Sequence, residues 1–139
     1  MTIHDLFTND DLKTAGHLQA NELATCYFEM GTDGKYHAKP LPEQVQFSPV
    51  FSVLALDYDK DGKEDLLLGG NIHNARIRFG NYDANYGILL KGDGKGNFQY
   101  INQDKSGFHI IGDIRSMQLI NNKLFFGING GQLKAFEHN

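Results

Sequence analysis

A single cysteine, Cys26, is all that the 139 residues offer, which excludes an intramolecular disulfide and any multi-cysteine zinc site. It lies in the apolar run from Leu23 to Phe28, where a free thiol is expected to fill core space as a small hydrophobe does. No apolar run approaches the ~18 residues that a membrane span needs. No basic stretch followed by an apolar one opens the chain, so no signal peptide is expected in it. An excess of positive charge is also missing. Lys and Arg number 13 against 17 Asp and Glu, a formal charge of −4, and this excludes the electrostatic footprint of a nucleic-acid binder. The slight acidity suits a cation without demanding one.

Catalytic signatures are scarce as well. The histidines at 4, 17, 37, 73, 109 and 138 form no His-x-x-x-His or His-Glu pair at metal spacing. No Gly-x-Ser-x-Gly elbow occurs. The glycine-rich run Gly92-Asp93-Gly94-Lys95-Gly96 lacks the Gly-Lys-Ser/Thr ending of a phosphate loop and reads as a hairpin turn. No clustered acid–base pair stands outside the acidic loop described below, so the chain reads as non-enzymatic.

What is present is an ordinary globular composition. Hydrophobic residues make up 40% and charged residues 22%, values that argue against disorder, and the length suits one domain. Residues 1–22 read as a helical N-terminal segment. Thr8 can cap a helix, with Asp11 three residues on, and Leu12, Ala15 and Leu18 recur at helical spacing. A short helix is expected over 10–18, after a turn around Ile3 to Phe7.

From Glu22 onward, short β-branched and apolar runs alternate with turns rich in Gly, Asp and Asn. Strands are expected near 23–30, 35–39, 50–57, 65–70, 86–91, 97–101, 114–120, 123–128 and 132–137. Their spacing predicts an antiparallel all-β fold over 23–139. An internal repeat refines this. Gly34 and Tyr36 match Gly96 and Phe98 at an offset of 62, and Leu54-Ala55-Leu56 matches Met117-Gln118-Leu119 at 63. A period of this kind with four strands per unit points to a radial repeat such as a β-propeller. The units run over about 23–45, 46–105 and 106–139, giving a partial propeller of two to three four-stranded blades. The open ends imply a fragment of a longer protein, an oligomer that closes the ring, or an edge covered by the N-terminal segment.

The stretch that carries chemistry is Asp57-Tyr58-Asp59-Lys60-Asp61-Gly62-Lys63-Glu64-Asp65. Carboxylates at alternate positions 1, 3 and 5 of a tight loop converge on one point. Gly62 permits the sharp turn, the carbonyl of Lys63 is an expected ligand, and Asp65 closes the ring at position 9. Such hard oxygen donors suit Ca²⁺ at about 2.3–2.6 Å, whereas Mg²⁺ prefers fewer carboxylates and more water. The bland alternative is a metal-free polar hairpin. An EF-hand opens alike but needs a Glu at position 12 and flanking helices; here position 12 is Leu68 and the flanks are strand-like.

The pattern Asp-x-Asp-x-Asp-Gly-x-x-Asp-Leu between two strands, followed by Gly69-Gly70-Asn71 and by the Asp-Gly-x-Gly-x-Phe hairpin at 93–98, resembles the FG-GAP/VCBS repeat. The resemblance covers about residues 22–137. It implies an integrin-α-like β-propeller whose blades carry Ca²⁺ in hairpin loops. The runs at 46–50, 82–87 and 106–108 are similar to the C-terminal blades of secreted bacterial VCBS proteins, which implies an extracellular or cell-surface location. The third unit departs from the pattern, since Asn121-Asn122 replaces the acidic loop, and the first lacks strands to hold one. One structural calcium per chain is therefore expected, with affinity in the extracellular-module class of about 10⁻⁴ to 10⁻³ M.

The segment from Asn71 to Asn85 is long for a connection within a sheet and offers Arg76, Arg78, Tyr82 and Asp83 as a candidate surface for a protein or glycan ligand. Its plain alternative is a solvated loop. Together these features suggest a calcium-stabilised module for binding or adhesion. The competing expectations are the scaffold of a polysaccharide-acting enzyme and an element that oligomerises to close its ring.

Overall fold

The computed structural model describes residues 2–16, 18–75, 78 and 80–137. Among them are nine strands: β1 (Cys26–Met30), β2 (Tyr36–Pro40), β3 (Val50–Leu56), β4 (Asp65–Gly70), β5 (Ile88–Gly92), β6 (Phe98–Ile101), β7 (Asp113–Ile120), β8 (Lys123–Asn129) and β9 (Lys134–Glu137). Each pairs only with its neighbours in the chain, always antiparallel, in three sheets ordered β1-β2, β3-β4-β5-β6 and β7-β8-β9. The all-β expectation holds, and all nine expected strands are present with ends moved by up to three residues. No closed ring of sheets forms among the described residues. No helix among them is long and apolar enough to cross a membrane.

The N-terminal segment is less helical than its spacing suggests. Thr8 caps as expected, its Oγ1 accepting from the Asp11 amide at 3.3 Å while Asp11 accepts from the Thr8 amide at 2.9 Å. The helix α1 that follows covers only Asn9–Leu12, with a 3-10 turn at Ile3–Asp5 before it. Leu18 is 98% exposed, so the apolar spacing buries nothing there. Isolated helices below about 12 residues gain too little to persist without packing. Two short elements went unexpected, a 3-10 turn at Glu43–Phe47 and the helix α2 at Gln103–Ser106. The first carries Val45, which is fully buried.

The central four-stranded sheet is covered on both sides. One face turns Leu54, Leu56, Leu67 and Leu89 towards Ile114, Met117, Leu124 and Phe126 of the third sheet. The other turns Leu66, Leu68, Ile88 and Leu90 towards Val45 and Leu41. Phe98 continues that second face outward and meets Tyr27 of β1 edge-on, with ring centroids 5.4 Å apart. Two-sided burial explains why β4 and β5 read as unbroken apolar runs rather than alternating ones. Each fully buried leucine contributes about 1.5–3 kcal/mol.

The repeat is visible in the registers. Met30 pairs with Tyr36 where Gly92 pairs with Phe98, so β1-β2 stands for β5-β6 at the expected offset of 62. β3 and β7 share a bulge, between Val50 and Ser52 in one and Ile114 and Ser116 in the other, opposite Gly69 and Gly127. The two bulged residues meet, with the Arg115 guanidinium 4.1 Å from the centre of the Phe51 ring. Val53 pairs with Leu68 as Met117 pairs with Phe126, which sets this equivalence at 64 rather than the expected 63. The one-residue difference matters because it exchanges the two faces of a strand.

Candidate metal centre

The acidic loop hangs between β3 and β4, whose last pair is Leu56 with Asp65. Its backbone is wound by its own carboxylates. Asp57 accepts from the amides of Asp61 at 3.0 Å and Gly62 at 2.9 Å, Asp59 accepts from Asp61 at 3.3 Å, and Asp61 accepts from Lys63 at 3.0 Å. Such turns need the left-handed region, occupied here by Lys60 at φ 61° and Gly62 at φ 83°. Asp57, Asp59 and Asp61 each bring one carboxylate oxygen within 4.8 Å of the others. This is the arrangement that the alternate spacing predicts.

Asp65 stands outside that group. It is 2% exposed, and its two oxygens accept from the amides of Tyr58 at 3.0 Å and Gly92 at 2.8 Å. It thereby fastens the loop to β5. Lys63 meets Asp61 through its amide and its ammonium, the latter at 3.4 Å. Lys91, which the sequence reading missed, reaches the loop from β5. Its Nζ pairs with Asp59 and lies 3.0 Å from Asp61. The hydrogen bond from Lys91 holds the Asp61 carboxyl below the usual range, and Asp59, with Asp61, raises Lys91 above its own. A cationic group thus already sits against two of the three convergent carboxylates. The signal was present in the strand register, since Leu90 pairs with Leu66 and so places Lys91 beside Asp65.

The candidate binding loop is brought together only in part. Arg76 lies outside the described residues. Arg78 is exposed, and Tyr82 exchanges two backbone hydrogen bonds with Ile72, at 2.8 and 3.0 Å. Asp83 lines a cavity of about 80 Å³ with Asn71, His73 and Tyr86. Two features there escaped the sequence reading. Asn71, at φ 86° and 1% exposed, accepts from Ser48 Oγ at 2.7 Å and the Asn85 amide at 2.9 Å, and donates to the carbonyls of Asn85 at 2.6 Å and Gly112 at 3.2 Å. His73 pairs through Nδ1 with the buried Asp113, 40 positions away, which also receives Arg115 at 3.4 Å. His73 hydrogen bonding and Arg115 hold the Asp113 carboxyl below its usual range against the opposing effect of burial, the largest single influence on it. An acid–base pair thus exists outside the acidic loop, contrary to the sequence reading. It ties the loop after β4 to the start of β7.

Comparison with protein-family models, curated proteins and solved structures finds no match to this chain.

Proposed function

We propose that the chain is a calcium-binding repeat module of the FG-GAP/VCBS type, part of a β-propeller that serves extracellular binding or adhesion rather than catalysis. The observation that carries this reading is the convergence of Asp57, Asp59 and Asp61 between two antiparallel strands. Three anionic oxygens in one turn suit a hard cation with six to eight oxygen ligands. Asp57, Asp59 and Asp61 would hold the ion, joined by the Lys63 carbonyl, while Asp65 fastens the loop through the Tyr58 and Gly92 amides rather than joining the group. A bound ion would supply positive charge that locks the β3-β4 connection, in the place that Lys91 now takes beside Asp59 and Asp61. The surface at Arg78, Tyr82 and Asp83 would face the protein or glycan ligand.

A thermal melt with millimolar Ca²⁺, with Mg²⁺ and with chelator tests this reading. A ligand at 100 times its dissociation constant adds about 2.7 kcal/mol of native-state stability, which a melt resolves plainly. The melting temperature rises with Ca²⁺ and not with Mg²⁺. The rise is lost in Asp59→Ala and enlarged in Lys91→Gln, which removes the competing ammonium. No shift at any calcium concentration would leave the loop a polar hairpin and end the proposal.

A further inference from the structure

The two end sheets of the stack expose faces of different kinds. On β1-β2, Tyr27 and Glu29 point towards the central sheet, since a side chain added at Gly96 would meet both. Strand alternation then turns Cys26, Phe28 and Met30 outward, with Tyr36, Ala38 and Pro40 opposite them on β2. No charged residue stands on that face. Phe28, Met30 and Tyr36 are 58%, 53% and 66% exposed, a contiguous apolar surface of the kind that marks an interface.

The internal repeat says what covers it. β1-β2 stands where β5-β6 stands, so Phe28 and Tyr36 occupy the places of Leu90 and Phe98. Within the chain Phe98 is covered by Tyr27 of the preceding sheet and Leu90 by Val45 and Leu41 of the connection after it. At the other end, β7-β8-β9 turns outward the row Gln118, Phe125 and Ala135, flanked on one side by Ser116 opposite Gly127 and on the other by Ile120 beside the Lys123–Glu137 ion pair at 3.8 Å. By the same equivalence this is the side that the central sheet turns towards the next one. There Gly69 is the recess that admits Ile114, whose Cγ2 lies 2.5 Å from where a Cβ would be. Gly127 holds the position of Gly69, and there the space is taken by Ser116, whose Oγ lies 2.3 Å from where a Cβ would be, so the outer face is flat at that point.

We propose that the outer face of β1-β2 docks on the outer face of β7-β8-β9 of a second copy of this chain, head to tail. Large knobs at Phe28, Met30 and Tyr36 meet small residues at Ser116, Gly127 and Ala135 around Phe125. The two kinds of face already stack twice within one chain, and a second copy supplies the third meeting. The contact is heterologous, so it generates a ring or an open filament according to whether the rotation closes. It does not depend on calcium.

Light scattering on the full chain across a wide concentration range tests this, with Ca²⁺ and with chelator. Wild type gives a mass that is a multiple of 15.6 kDa. Phe28→Asp and Phe125→Asp are each monomeric alone, with strand content by circular dichroism unchanged. Mixed together they form a dimer, because one intact face remains on each. A wild-type monomer at every concentration overturns the proposal. So does assembly that survives Phe28→Asp, or a Phe125→Asp chain that still dimerises, which would mean that the β1-β2 face meets itself.

Discussion

Asp93 shows how a single exposed residue can set the acid tolerance of a turn. Its carboxylate accepts from the Asn97 side chain at 2.6 Å and from the amides of Lys95 at 2.7 Å and Asn97 at 3.1 Å, which close the β5-β6 hairpin. Those bonds, the Asn97 side chain foremost, lower its pKa from 3.8 to about 2. Because the folded value is the lower one, the ionised form favours the fold. The contribution is complete above the unfolded value and fades as the pH falls through the folded one. An NMR titration should place the Asp93 midpoint near 2, and in Asn97→Ala it should move up towards 3.8. A wild-type midpoint at the ordinary value would show that the turn is not held by this carboxylate.

At the scale of elements, glycines mark where backbones come closest. A Cβ at Gly70 would stand 1.8 Å from the Pro49 carbonyl oxygen, at the bulged start of the β3-β4 ladder. Backbone cannot yield there as a side-chain tip can. Gly70→Ala is therefore expected to cost about 1–3 kcal/mol in urea unfolding, the usual range for overpacking. Gly34→Ala is different, since nothing lies near its missing Cβ and only its φ of 74° opposes the change. The strands themselves were legible because apolar runs and Gly, Asp or Asn turns are local signals. The acidic triad was legible because its three carboxylates sit in one turn. Lys91, Asn71 and the His73–Asp113 pair were not, because each acts across a strand or sheet contact that sequence spacing does not encode. The helix failed for the converse reason, a local pattern with no surface to pack on.

Across the whole molecule, the two faces of the central sheet hold the stack together. Phe126 of β8 is fully buried on one of them, with ring centroids 5.5 Å from Phe136 and 6.0 Å from Phe108. Truncating an aromatic of this kind removes both its transfer energy and the packing around the void. Phe126→Ala should lose about 3–5 kcal/mol, read from the shift of a urea midpoint at unchanged slope. A loss below 1 kcal/mol would mean that the third sheet is only loosely joined to the second. The acid–base tie at His73 and the Asn71 hub join the same two sheets at their other end.

The meander order of the strands carries a consequence for how the chain comes into being. Among the described residues no strand waits for a distant partner in its own sheet, so each hairpin can close as soon as it leaves the ribosome, and contacts of short range favour rapid folding. The first hairpin is the exception in stability, not in order. A lone two-stranded ribbon is marginal in water, and β1-β2 gains its support only once Phe98 has been synthesised some 70 residues later. Among the described sheets it is the first to be made and waits longest to be secured, which leaves the side that carries Tyr27 uncovered until the β5-β6 hairpin has been synthesised.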